Sequence, residues 1–351
     1  MAGKLVRNRL GAAFAILALL VAIGLAHNAA AQPAGSYFKG KTIKLMVGTS
    51  SGGGYDLMAR MFAPYFEKRL GAKVLVENRP GGSHMVAMNA VFSATPDGLS
   101  LILASAEGAV LGRLMDEPGI RFDLSAFPVI ARVNSAARVL IINPGLPFKT
   151  IQELKASGRT LTMGFAGTTD GGSDTGMIMC HALDLACKSI IGYPSSKEFS
   201  MAAVKGEVDG TVVAEDSAVR FSESGQLLPV VVIGRDKSAM LPKLPTVFDV
   251  APIAAEKAWW VDLRDDIRKL GRLLVTTPGV PADRLDELRT AAREVLTDRA
   301  TMKEFDARGM PVQFAAPDEM SAIIRRMLGG GVTPERVREM KHIITEKYYG
   351  K

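Results

Sequence analysis

The sequence predicts an α/β fold of about two domains. Short apolar runs alternate with helical patterns along most of the chain, which argues for βαβ units and parallel sheets. The length of 351 residues, at roughly 150 residues per domain, exceeds what one core usually fills. Several junctions between a strand and the next helix are rich in Gly and Ser, as ligand-holding junctions of open α/β sheets are.

The elements follow in order. Residues 42–47 (TIKLMV) read as a buried strand, and 56–70 as an amphipathic helix tightened or kinked by Pro64. Strands are expected at 73–77, 99–104 and 138–142, a short helix at 147–157, a strand at 161–165 and a helix at 173–185. Strands at 208–214 and 228–233 precede a proline-rich irregular stretch at 242–252. A strand at 273–276 leads to the helix 282–296, with Leu285, Leu288, Ala292 and Leu296 on one face. Thr333 and Pro334 open the last helix as cap and first residue.

Composition narrows the class. With 48% hydrophobic and 23% charged residues, the chain is globular, and disorder, collagen and a disulfide scaffold are excluded. Lys4, Arg7 and Arg9 precede an apolar run from Leu10 to Ala26, and Ala29-Ala30-Ala31 follows a short polar break. This pattern is a secretory signal peptide, 1–31, cleaved after Ala31, and the alternative is a single membrane anchor. Taking those three cations from the formal +7 leaves +4, too little for a nucleic-acid surface. A soluble exported protein is expected.

Catalytic signatures fail one by one. The 49–56 loop has neither the G-K-[ST] ending of a P-loop nor the G-x-G-x-x-G spacing of a dinucleotide fold. Asp174-Thr175-Gly176 spells an aspartic-protease tripeptide without the second copy that mechanism needs. Ser173 misses the nucleophile-elbow spacing, and His84, His181 and His342 form no triad at recognisable spacings. No enzyme, cofactor or metal site is expected. Cys180 and Cys187 are the only cysteines. On one unbroken helix their Cα atoms would stand about 10.5 Å apart, past the bridging limit of about 7 Å. They pair only if the helix ends between them, and two buried thiols are the expectation.

The candidate site is a set of loops at strand carboxyl ends, where helix N-termini offer free N–H groups to an anion. They are Thr49-Ser50-Ser51-Gly52-Gly53-Gly54-Tyr55-Asp56, then 78–84 (NRPGGSH), then 164–173 with Ala166, Gly167, Thr168, Thr169, Asp170 and Ser173. Glycines there let backbone amides approach a ligand closely.

These residues carry a resemblance. The runs Gly52 to Arg60 (GGGYDLMAR), 76–82 (VENRPGG) and 95–98 (TPDG) resemble successive signatures of the tripartite tricarboxylate transporter receptors, the Bug family of periplasmic solute-binding proteins. GEVDG at 206–210 and LPKLPT at 241–246 are similar to two further family segments, in the right order. The resemblance implies a two-lobe periplasmic-binding-protein-like fold with mostly parallel sheets and a ligand cleft closed by a hinge. It places lobe one at 37–139 and 273–351 and lobe two at 140–272. It implies a small organic acid held by backbone amides and water without a dedicated arginine, and delivered to a membrane permease of the tripartite tricarboxylate type. A monomer is expected. An exported sensor for a signalling partner is the alternative, and a secreted hydrolase the remote one.

Departures from the family pattern modify the expectation. Gly48 stands where the family has proline, and Asp170 and Asp174 stand where it has a short glycine-serine turn. Either these aspartates face solvent or they meet a cationic part of an amino-acid-like ligand. Ser105, Glu107 and Glu215 occupy further cleft-edge positions, where their acids favour the second reading or cap helices. Tyr193, in the segment 192–197, matches the family's Y-K-G loop with the basic residue displaced to Lys197. Trp259-Trp260 is read as hinge packing.

Overall fold

The computed structural model describes residues 36–349. The leader 1–31 and its cleavage point lie outside the described residues. Among the described residues no helix is long and apolar enough to cross a membrane.

Two five-stranded sheets form the frame. The first contains β1 (Thr42–Val47), β2 (Lys73–Asn78), β3 (Ser100–Ser105), β4 (Val129–Asn134) and β10 (Arg272–Thr276), in the order β2-β1-β3-β10-β4. The second contains β5 (Arg138–Ile142), β6 (Leu161–Phe165), β7 (Cys187–Ile191), β8 (Gly210–Ala214) and β9 (Leu228–Val232), in the order β7-β6-β8-β5-β9. The expected α/β architecture is present, and each sheet is mixed but mostly parallel, with one strand running against the other four. In the first, β10 runs antiparallel to β3 and β4, and in the second, β5 runs antiparallel to β8 and β9. Each sheet admits one strand from a chain crossing that enters from the side of the other sheet, against the direction of the local βα units.

Helices cover both sheets. On the first, α1 (Gly54–Leu70), α10 (Ala282–Thr297) and α11 (Arg299–Ala307) bury Phe62, Phe66, Leu288 and Phe305 against β1 and β3. On the second, α6 (Ser196–Lys205) and α7 (Glu215–Glu223) cover Val139, Ile141 and Val213. A third apolar cluster joins α2 (Met85–Phe92) and α3 (Ala106–Leu114) to α5 (Ser173–Ala182), so the halves share part of one core. The short α4 (Ile151–Ser157) leads into β6, and the stretch 242–252, expected to be irregular, holds the single turn α8 (Val247–Val250).

The first crossing between the sheets is short: β4 ends at Asn134 and β5 begins at Arg138. The return crossing runs through α9 (Ala255–Arg268) into β10. The two crossings touch at Gly271, whose φ of 57° and lack of a side chain let Asn134 pass; a Cβ there would lie 2.0 Å from the Asn134 carbonyl oxygen. Trp260 is buried on α9 and Trp259 half-buried beside it, with the Arg336 guanidinium over both rings at 5.3 and 4.4 Å. The pair packs the core near the crossing, as expected.

The C-terminal segment departs from the expected lobe division. Gln313 N–H still bonds Val133 of β4, but Ser189 of β7 donates its N–H to the Tyr348 carbonyl at 2.8 Å, and Tyr349 bridges Ser189. The last residues therefore extend the edge of the second sheet instead of returning to the first.

The cysteines form a disulfide, Cys180–Cys187, with Cα atoms 6.3 Å apart. The expectation of two buried thiols is corrected because α5 stops at Ala182. Asp184 adopts φ 52°, the chain reverses, and Cys187 opens β7 beside the helix end.

Candidate functional site

The two sheets enclose a polar cavity of about 60 Å³. From the first sheet's side come Thr49, Gly54, Tyr55, His84, Ser105 and Arg272; from the second come Arg138, Ala166, Asp170, Gly171, Gly172, Ser195, Ser196, Phe199, 212–214 and Ser217. Five helices start at this cavity. The first residues of α1, the caps Ser105 of α3 and Gly172 of α5, Ser195 of α6, and Ala214 of α7 all line it. No side chain caps α1 or α3, and the N–H groups left free there give the cavity a partial positive potential, suited to an anion. At α5, Asp170 takes the Gly172 and Ser173 N–H groups, and at α7 the Glu215 and Ser217 N–H groups go to the Ala137 carbonyl and the Asp216 carboxylate.

Glycine is required where the walls meet. A Cβ on Gly53 would lie 3.1 Å from Ser195, one on Gly54 3.2 Å from Arg272, and one on Gly171 2.2 Å from the Arg138 guanidinium. The cleft is shut across these points. Ser50 Oγ donates to Glu198 at 2.8 Å and Gly54 N–H to Ser196 Oγ at 3.4 Å.

Two arginines face each other across the cavity, each at the first residue of a strand that follows a crossing. Arg138, on β5, pairs with Glu107 of α3 at 2.8 Å. Arg272, on β10, pairs with Asp216 of α7 at 2.9 Å. Each pair joins the two halves, in opposite senses. Behind them buried Arg264 of α9 bonds both Glu107 and Asp174 at 2.6 Å. Arg138 Nε, Arg272 Nη1 and Thr49 Oγ1 are buried without a hydrogen-bond partner. Buried polar groups are rarely left so, and these three donors, drawn from both sides of the cavity, mark places for a ligand's acceptors; His84 Nδ1 is unpartnered beside them.

Burial alone would raise the Glu107 carboxyl, but Arg138 and Arg264 beside it hold it down at about 2. Burial lowers His84 to about 4, helped by Arg138 and Arg272, so its imidazole is neutral at physiological pH. Burial pushes Asp170 and Asp174 up. His84 has φ 79°, and its ring stacks edge-on against Tyr55 at 4.4 Å. Gly48 makes room for it, since a Cβ there would lie 2.6 Å from His84 Cα.

Of the sequence-predicted residues, Thr49, Gly54, Tyr55, Ser105, Ala166 and Asp170 line the cavity. The others support it. Asp56 is buried outside it, accepting from Gly52 N–H and Asn78 Nδ2 at 2.8 Å and Arg60 Nε at 3.0 Å, so it shapes the first loop. Ser51 joins the same carboxylate, and Gly52 with φ 86° makes that turn possible. Gly167 abuts Ser83, Thr168 bonds Glu117, and the Thr169 carbonyl lies where Gly108 leaves space. Ser173 bonds the Tyr349 hydroxyl, and Tyr193 packs on Phe199. Lys197 is exposed, its stem over Gly52.

Both readings of the acidic residues are corrected. Asp170 is buried and accepts three backbone N–H groups, from Ala166, Gly172 and Ser173, at 2.6 to 2.9 Å. Asp174 is fully buried on Arg264, and Glu107 is taken by two arginines. Glu215 accepts from Ala137 N–H and from Ser238. These acids neither face solvent nor await a cation. The expectation of a site without arginine is corrected too: Arg138 and Arg272 were missed, while His84 lies in the expected loop 78–84. The available signal was a single cation opening an otherwise apolar strand, RVLII and RLLVT.

A fold of two sheets, crossed twice by the chain and shut over a polar cavity, defines a two-lobed solute-binding protein of the periplasmic class. Residues 58–327, well over half of the chain, match the profile of the tripartite tricarboxylate transporter family receptors, and the chain belongs to that family. One relative from Bordetella pertussis is 26% identical over 84% of this chain and 87% of its own. Another from that organism, BugT, is 22% identical over 87% and 93%. Among solved structures, the periplasmic binding protein BugD superposes with a TM-score of 0.70 at 20% identity, covering 86% of this chain and 97% of its own. MatC of Rhodopseudomonas palustris with bound malate gives 0.71 at 18%, covering 87% and 99%. A further R. palustris protein, with adipate, gives 0.72 at 18%, covering 86% and 97%.

Proposed function

We propose that this protein is an exported receptor that traps a small carboxylate between its lobes and delivers it to a membrane permease of the tripartite tricarboxylate type. The carrying observation is the enclosed cavity where five helix N-termini meet and where Arg138 Nε, Arg272 Nη1 and Thr49 Oγ1 lack partners. Those donors match a carboxylate's acceptors. Family membership supports transport, and the malate and adipate held by two similarly folded proteins support the ligand class. The ligand-binding residues proposed here are Thr49, Gly54, Tyr55, Ser105 and Ala166 from the sequence reading, joined by Arg138, Arg272, Ser195 and Ser217, with Asp170, its oxygens held by backbone N–H groups, shaping the wall.

The test is a thermal-shift screen of the chain from Gln32 against mono-, di- and tricarboxylates and matched neutral amides. A ligand at 100 times its dissociation constant stabilises by roughly 2.7 kcal/mol. A rise with carboxylates alone supports the reading, and an equal rise with neutral amides refutes it. Delivery is tested by loss of uptake of the same acid in cells lacking the protein.

A further inference from the structure

We infer that the ligand is a compact monoanion, a small monocarboxylate gripped by Arg272 and Arg138, and that di- and tricarboxylates are excluded. This rests on the carboxylate-receptor reading above and narrows it.

The first argument is charge. Three guanidinium groups stand at or behind the cavity, and each already has a carboxylate: Arg138 on Glu107, Arg264 on Glu107 and Asp174, Arg272 on Asp216. Asp170 lines the cavity as a fourth acid, held by backbone N–H groups. Some helix ends are offset as well: beyond the acids already paired with arginines, α1, α6 and α7 carry Asp56, Glu198 and Glu215 in their first turns. Neutral His84 adds nothing. The site thus offers hydrogen-bond donors without surplus positive charge. One carboxylate can be held by unpartnered N–H groups and residual helix-end potential, as amide-lined anion sites do. A second buried carboxylate would meet no free cation and would lose its hydration uncompensated.

The second argument is size. In the shut form about 60 Å³ is free, well below the roughly 300 Å³ of an ordinary small-molecule pocket. A short acid asks the walls to part less than a tricarboxylate does. The second sheet's side adds Phe199, Val212, Val213 and Ala214 next to Arg138, an apolar complement to methyl or methylene groups. Both oxygens of Asp170 are committed to backbone donors, so an ammonium group finds no partner there.

Calorimetric titration of the wild-type chain from Gln32 tests this with propionate, lactate and pyruvate against malate, adipate and citrate, with lactamide and alanine as controls. The expected result is tightest binding by one of the three monocarboxylates. Malate, adipate, citrate and alanine should bind about tenfold or more weakly, and lactamide not at all. A dicarboxylate or tricarboxylate binding as tightly as the best monocarboxylate overturns the inference and leaves the receptor reading standing. Alanine matching lactate overturns it as well. Binding by none of the acids overturns both.

Discussion

Replacing Glu107 with Gln separates two roles for one buried acid, ligand contact and internal counter-charge. In the structure Glu107 Oε2 accepts from Arg138 at 2.8 Å and from Arg264 at 2.6 Å, joining α3 to β5 and α9. Its carboxyl ordinarily titrates near 4.5 and is held at about 2 in the fold. A depressed carboxylate stabilises the folded state above its unfolded pKa and loses that contribution as pH falls through the folded value. The window is therefore from about pH 4.5 down to about 2. A difference of about 2.5 pH units corresponds to roughly 3 kcal/mol, in line with the roughly 3–5 kcal/mol lost when one partner of a buried pair is removed. Glu107→Gln should lose about 3 kcal/mol in urea unfolding at neutral pH and show a flatter stability profile between pH 4.5 and 2 than wild type. A loss under about 1 kcal/mol, with parallel pH profiles, would refute the counter-charge role. Collapse of ligand affinity with unchanged stability would instead return Glu107 to the ligand.

Three further outcomes follow from the same geometry. His84 is neutral in the fold, so protonating it opposes folding; stability present above about pH 6.5 is lost as pH falls toward about 4, by about 3 kcal/mol. His84→Asn, which tolerates the positive φ, should flatten that limb of the profile, and an imidazole titrating near 6.5 by NMR would contradict it. Gly53→Leu inserts a side chain where a Cβ already lies 3.1 Å from Ser195, so it should prop the cleft open and cut ligand affinity about a hundredfold while the melting midpoint of the empty protein moves little. Thiol titration in denaturant should find no free thiol before reduction and both cysteines after it, and replacing both Cys180 and Cys187 with Ala should cost about 2 to 3 kcal/mol.

Local signals were readable in the sequence and long-range ones were not. The strand 42–47 and the loops after β1 and β6 came from apolar runs and glycine clusters, whose meaning is set by neighbouring residues. Asp174, Glu107 and Glu215 were misread because their partners depend on tertiary structure: Arg264 lies 90 residues beyond Asp174 and 157 beyond Glu107, and Ser238 lies 23 beyond Glu215. Asp170 differs, since its partners lie within four residues and only its burial was hidden. Arg138 and Arg272 open strands whose other residues are core, and only the crossings of the chain turn those two positions toward one cavity. The disulfide was hidden by the apolar residues Leu183 and Leu185, which continue a helical pattern past the point where the turn at Asp184 ends it.

The two cross-lobe ion pairs explain how grip and closure can be one event. With the cleft open, Arg138 and Arg272 would be hydrated; shutting it removes both from water, and each is met by an acid from the opposite half, Glu107 for Arg138 and Asp216 for Arg272. A buried pair of this kind returns little net free energy, because desolvation cancels most of the attraction. Closure of the empty receptor is then close to balanced, and the unpartnered donors Arg138 Nε, Arg272 Nη1 and Thr49 Oγ1 make it slightly unfavourable. A ligand that satisfies those donors binds the shut form selectively and shifts the population toward it, by no more than its differential affinity for the two forms. Because each half supplies one arginine and one acid, neither half alone presents the finished site, and only the shut conformation offers all of its donors to one ligand.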